Sequence, residues 1–259
     1  IYTLSLHDAL PISTSEEGLT CEALDRSVDD LKSFLISATR KICTRKAHTN
    51  ISFPPVKIEH RQQVWKMLLS GIGFNTDAGR IDTGSHTTIL ANSPSDVRIV
   101  NSYNKQDFSA GLFNTLHSGG KGIYQQSIDK GLLGTFLAEA PSFTMEESIG
   151  RLYENIIGRS RGFCERFGPE IFSLVPELKD LLCEDFFHHV NRVHRSPLRT
   201  EADELTYLLH IIIRYELERA LIEGNIEVAD IPHLWKEKYQ AYLNVRPSND
   251  RKGVLQDIH

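Results

Sequence analysis

The chain has 259 residues, 40% of them hydrophobic and 24% charged, with a formal net charge of −5 at pH 7. Such a balance describes a globular chain long enough to bury a sizeable core, and its mild acidity argues against the clustered Lys and Arg of a nucleic-acid face. The longest apolar run, Leu208 to Ile213, is interrupted by His210 and falls far short of the roughly 20 residues that span a bilayer, so no membrane role is expected.

Residues 1–12, from Ile1 to Ile12, read as the translation of a widely used sequencing adapter and are set apart from the fold. They also lack the basic start and unbroken apolar core of a secretory leader. Residues 13–259 are then expected to form one partial helical domain, truncated at both ends. From Leu19 onward, Leu24, Val28, Leu31 and Leu35 recur three to five apart, which predicts a long amphipathic helix with Thr20 as its N-cap. A second helix is expected after Pro54-Pro55, ending near Gly71 or Gly73. Between Phe74 and Tyr103 the period changes, and Arg80–Thr83 and Asp96–Asn101 read as strands of a small hairpin-like sheet. Further helices are expected over Lys105–Ile128, Glu146–Phe167, Pro176–Val193, Glu201–Glu223 and Pro232–Leu243. The fold class is therefore mainly α, a helical domain with a small β-sheet.

Cys21, Cys43, Cys164 and Cys183 are widely scattered and form no CxxC pair. They read as reduced, mostly buried thiols of a cytoplasmic protein. His210 among apolar neighbours reads as a core histidine. His188-His189 would face different sides of a helix and make a poor chelating pair, and His194 is expected at the surface. Trp65 and Trp235 fit apolar faces without a cofactor.

Several sequence blocks in fixed order carry a family resemblance. They are Gly73-Phe74 through Asp82, Asp96-Val97-Arg98-Ile99, Leu112 through His117, Glu154 through Arg161, Leu198 through Tyr207, and Gly253 through His259. Over roughly residues 16 to 259 the chain resembles the thermostable metallocarboxypeptidases typified by carboxypeptidase Taq. The resemblance implies a helical metallopeptidase-like fold, with the small sheet near the active-site helix. It also implies a zinc or cobalt cofactor, peptide C-termini as substrates and a homodimer. Members of that family are considerably longer, and this chain looks like their middle portion.

The family's HExxH motif uses two His one helical turn apart as zinc ligands and the Glu between them to activate the metal-bound water. Here the corresponding stretch is His117-Ser118-Gly119-Gly120-Lys121. His117 matches the first ligand, and Glu147 matches the downstream Glu ligand. Ser118 occupies the general-base position and Lys121 the place of the second His. His86-Thr87-Thr88 stands for a His-Pro-Phe block, Val100 for a Thr, and Ile149 for a Gln. The departures crowd into active-site motifs while the scaffold motifs stay intact, which predicts a weak or inactive centre with impaired metal binding. The alternative is a non-catalytic module that binds a peptide or a partner.

Lys121 is expected to pair with Glu147, its ammonium replacing the metal's charge, with a solvent-facing Lys121 as the competing reading. Gly119 and Gly120 should each cost the helix about 1 kcal/mol relative to Ala. Arg199, Asp203, Gln256, Asp257 and His259 match motifs near the family's substrate pocket. Arg199, Glu201, Asp203 and Glu204 fit equally well a capped, ion-paired helix start. Without flanking helices, the face Leu208–Ile212 would be exposed and promote aggregation.

Overall fold

A computed structural model describes residues 16, 18–44, 53–102, 108–140 and 142–256. The adapter-like segment 1–12, the expected helix start at Lys105, and two expected substrate contacts, Asp257 and His259, lie outside the described residues. The chain divides into two compact units, one formed by residues 1–47 with 191–259 and the other by residues 48–190.

In the first unit, α1 (Cys21–Cys43) begins at Thr20, whose hydroxyl accepts the Ala23 N–H as expected of an N-cap. Helices α7 (Glu204–Ile222) and α8 (Ile231–Leu243) complete its core, where Leu35 joins Leu209, Ile212, Ile213, Leu217, Trp235, Tyr239 and Leu243. The expectation of an exposed Leu208–Ile212 face is therefore corrected. Leu209 and Ile212 are buried in this core, and only Leu208, 40% exposed, turns outward. His210 is a core histidine, its Nδ1 lying 2.8 Å from the Tyr239 hydroxyl. The Glu216 carboxylate binds Lys32 of α1 at 2.8 Å, and Lys238 and Tyr242 of α8 at 2.6 and 2.7 Å, so one charge cross-links three helices.

The second unit is organised around α3 (Phe108–Gln126), which is buried on most of its circumference, including Leu112, Leu116, Ser118, Gly119 and Gly120. Helix α2 (Ile58–Gly71) supplies Val64, Trp65, Leu68 and Leu69 to the core. Strands β1 (Gly79–Gly84), β2 (Thr88–Ser93) and β3 (Asp96–Ser102) form a sheet of order β1-β3-β2. The two expected strands, β1 and β3, run parallel rather than as a hairpin, with Ile81 opposite Ile99, and the antiparallel partner of β3 is β2, a strand not expected from the sequence. Inward-facing Val97, Ile99 and Asn101 alternate along β3, as one buried sheet face requires. The buried Asn101 amide donates to the Gly111 carbonyl at 2.8 Å and to Thr115 Oγ1 at 2.7 Å, which fixes the sheet against α3 just ahead of His117.

The single helix expected over Glu146–Phe167 is instead three elements. α4 (Phe143–Arg151) runs into a π-helical segment (Leu152–Ile157), and α5 (Arg161–Leu174) restarts where the Ser160 hydroxyl accepts the Phe163 N–H. The helix expected from Pro176 also starts later. Pro176 opens a 3-10 turn, and α6 spans Cys183–Val190. Of the four thiols only Cys164 is buried; Cys21 is exposed and Cys43 and Cys183 are intermediate, which corrects the expectation of mostly buried cysteines.

Candidate functional site

His117 and Lys121 lie one turn apart on α3, and their side chains meet the acidic residues of α4 and the π-helical segment. His117 Nδ1 is 3.0 Å from Glu154 Oε2, and its Nε2 is 3.4 Å from Glu147 Oε2. Lys121 Nζ stands 3.5 Å from Glu147 Oε2 and 3.5 Å from Glu146 Oε1, with its ammonium 5.5 Å from the centre of the Phe143 ring. Lys121 is 13% exposed, so the solvent-facing alternative is not what the fold adopts. Arg151 completes the cluster at 3.2 Å from Glu147 Oε1 and 3.2 Å from Glu154 Oε2. Cations and carboxylates thus alternate through the site, and each carboxylate of the cluster has at least one cationic neighbour.

Close packing makes this convergence possible. A Cβ on Gly150 would stand 2.7 Å from His117 Cε1 and 2.9 Å from its Nε2, so the backbone of α4 lies against the imidazole. A Cβ on Gly120 would stand 2.6 Å from Tyr153 Cδ2, so the tyrosine ring fills the space that a side chain on α3 would take. The helix expected to weaken at Gly119-Gly120 instead continues to Gln126. Tertiary packing offsets the propensity cost of about 1 kcal/mol per glycine.

The electrostatics follow from this geometry. Burial disfavours a charged His117, but hydrogen bonds to Glu147 and Glu154 outweigh it and raise the imidazole above its ordinary 6.5. Burial alone would raise Glu147; the His117 hydrogen bond and the His117, Arg151 and Lys121 charges dominate and hold its carboxyl down at about 2. His117 and Glu147 thus each favour their charged form in the presence of the other.

The sequence singled out His117, Glu147, Ser118 and Lys121, and the fold brings the first, second and fourth of these together. Ser118 neighbours them on α3 but is 3% exposed, packed into the core. Glu146, Arg151 and Glu154 were missed as members of the site. A signal for two of them existed, since Glu147, Arg151 and Glu154 follow an i, i+4, i+7 spacing that shares one helical face.

The fit of a divalent metal can be judged from the donors. His117 Nε2 and Glu147 Oε2 are lone-pair donors within 3.4 Å of each other, but the third corner is an ammonium, which has none and brings a positive charge. Among the described residues no group of three or more His, Cys, Asp or Glu is placed to hold a metal ion. The donor set does not fit an ion held by three side chains.

Arg199, Asp203 and Gln256 belong to the other unit, where each is tied to the protein itself. Asp203 Oδ1 accepts the Leu205 and Thr206 N–H groups at 3.0 and 3.1 Å, and Oδ2 accepts the His194 N–H at 3.0 Å and the Thr206 hydroxyl at 2.8 Å. Asp203 is thus the N-cap of α7. The Gln256 amide accepts the Arg199 N–H at 2.7 Å and donates to the Pro197 carbonyl at 3.0 Å, while the Arg199 guanidinium reaches the Tyr207 hydroxyl at 3.4 Å. Replacing Asp203→Ala should therefore cost about 1–2 kcal/mol of stability in urea denaturation, through the lost cap. An unchanged midpoint would refute the capping role. Elsewhere, His188 pairs with Glu184 at 2.8 Å while the neighbouring His189 ring packs on Phe53, so the adjacent histidines do point apart. His194 is 41% exposed.

Comparison with known proteins places this arrangement. A family model for the carboxypeptidase Taq (M32) metallopeptidases matches residues 2–259, reaching into the segment read above as adapter-like. The chain is 39% identical over 256 residues to thermostable carboxypeptidase 1 of Thermus thermophilus, and 36% identical over 256 residues to carboxypeptidase 1 of Bacillus subtilis. In each case the match covers 98% of this chain but only 50% and 51% of the relative. The M32 carboxypeptidase of Deinococcus radiodurans superposes with a TM-score of 0.89 at 33% identity, over 94% of this chain and 49% of that one. The chain spans about half the length of the curated relatives it matches. Among the described residues no helix is long and apolar enough to cross a membrane. With the family model matched over nearly the whole chain, and with a mainly helical fold shared with M32 carboxypeptidases, this chain belongs to the carboxypeptidase Taq (M32) metallopeptidase family.

Proposed function

We propose that this chain is a non-catalytic M32 relative, one that keeps the helical scaffold and its affinity for peptide C-termini but has lost the metal-dependent hydrolysis implied by its family. The observation that carries this reading is the Lys121 ammonium, 3.5 Å from both Glu146 and Glu147, in the position where the family motif has its second imidazole. In that position the ammonium supplies the positive charge that the carboxylates would otherwise draw from a divalent ion. A zinc or cobalt ion competing for the same place would meet one imidazole, one carboxylate already held by His117 and Arg151, and a repelling charge. Ser118 supports the reading independently. Its hydroxyl cannot take a proton from water at neutral pH as a carboxylate does, and it is packed into the core.

The scaffold side of the proposal rests on retained blocks rather than on lost ones. A homodimer and recognition of peptide C-termini come with the family resemblance, and cytoplasmic residence with the scattered cysteines; all three are part of the same proposal. The direct test is to purify the chain, equilibrate it with zinc and separately with cobalt, and dialyse it. Bound metal and the release of C-terminal residues from a blocked peptide are then measured. The expected outcome is well under one metal per chain and no release above the protein-free rate. Near-stoichiometric metal with steady release would overturn the proposal and return the chain to the peptidases.

A further inference from the structure

We propose that Cys164 and Cys183 form a reversible dithiol–disulfide pair that latches α5 to α6. The two residues are far apart in sequence, yet each thiol donates a hydrogen bond to the other residue's backbone carbonyl, Cys164 Sγ to Cys183 O at 3.0 Å and Cys183 Sγ to Cys164 O at 3.5 Å. Gly168, one turn beyond Cys164, leaves the room for this exchange. A Cβ there would stand 2.7 Å from Cys183 Sγ and 3.6 Å from Cys164 Sγ, so both sulfurs converge over one bare stretch of helix backbone. The two thiols thus approach one point from α5 and from the start of α6, the kind of approach that a disulfide requires.

The two thiols differ in access. Cys164 is buried, and burial followed by the neighbouring Cys183 pushes its thiol up to about 12. Cys183 is half-buried at the start of α6 and is the sulfur that an external oxidant reaches first. With a small disulfide such as oxidised glutathione as oxidant, the Cys183 thiolate attacks one sulfur, the small S–S bond breaks, and one small thiolate leaves. The Cys164 sulfur then attacks Cys183 Sγ in the mixed disulfide, loses its proton to solvent, and expels the second small thiolate. Two protein thiols and one small disulfide become one protein disulfide and two small thiols, with two electrons passing to the oxidant. The product ties α6, which carries Phe186, to the helix that carries Ile171 and Phe172 of the same core.

The test uses the whole unaltered chain, incubated with oxidised glutathione, quenched by alkylation and digested for mass spectrometry. The expected product is a linked peptide pair containing residues 164 and 183 with two hydrogens lost, returned to two alkylatable thiols by dithiothreitol. It should disappear in Cys183→Ser, where Cys164 stays free. A stable glutathione adduct on Cys183 beside a free Cys164 would overturn the proposal. So would two free thiols under exposure that fully modifies the exposed Cys21.

Discussion

Lys121→His is expected to convert this chain into a zinc protein, with near one-to-one metal after dialysis and an affinity at least about 100-fold above that of the unaltered chain. That factor is the upper end of what losing only a group behind a ligand costs, so gaining a ligand should exceed it. The substitution removes the ammonium beside Glu146 and Glu147 and adds a lone-pair donor one turn after His117, on the same face of α3. The rest of the site is already arranged. Glu154 holds His117 Nδ1 at 3.0 Å and thereby fixes which nitrogen faces Glu147, the support that metal-ligating histidines require. Lys121→Met, which removes the charge without adding a donor, separates the two contributions and should gain little zinc. Peptide hydrolysis should stay absent in Lys121→His because Ser118 still stands in the base position. Metal content by plasma mass spectrometry and competition with a chelator read the result. Failure of a folded Lys121→His to retain zinc would mean that the carboxylates are committed to Arg151 and the scaffold, and that Lys121 is not the determinant.

The parts of this fold that were readable in the sequence are those governed by local periodicity. The α1 face, its Thr20 cap, the end of α2 near Gly71 and the extended segments of β1 and β3 follow from spacing and capping rules acting over a few residues. The parallel pairing of β1 with β3 was not readable, since no local pattern records which edge of a strand a distant segment will join. The break after Arg151 was also hidden. An apolar and polar alternation through Leu152–Ile157 suits an α-helix and a π-helical turn alike, and tertiary contacts decide between them. At the site, the family motif named His117, Lys121 and Glu147. It could not show that Glu146 would close on Lys121 or that Glu154 would take the far side of His117, because both depend on how Gly150 and Gly120 let α4 and Tyr153 approach α3. The convergence of Cys164 and Cys183 is long-range for the same reason, with Gly168 as its local enabling feature.

Glu154→Ala should be the most destabilising polar substitution in this cluster, costing about 2–3 kcal/mol. It leaves His117, Arg151 and Arg159 without a shared carboxylate at a position only 15% exposed. The lower end of the range is favoured by Arg151, which keeps Glu147 at 3.2 Å. The pH profile gives a check that simple loss of packing would not reproduce. Glu147 is depressed in the folded chain from 4.5 to about 2, so its stabilisation is complete above pH 4.5 and is lost as pH falls toward about 2. Because one third of that side chain is exposed, its contribution is on the order of 1–2 kcal/mol after solvent screening. His117 shifts in the opposite sense. Its pKa is raised on folding, so its contribution is complete below pH 6.5 and is lost as pH rises through the elevated folded value. Together the two give the cluster its greatest stabilisation between about pH 4.5 and 6.5. Removing Glu154 takes away one of the two hydrogen bonds that keep His117 raised, so its titration should move down toward 6.5 and the alkaline edge of the window should move with it. Urea denaturation of both proteins across pH 3 to 8, with the His117 ring signal followed by NMR, reads stability and titration separately. An equal loss at every pH, with an unmoved His117, would show that Glu154 acts by packing alone.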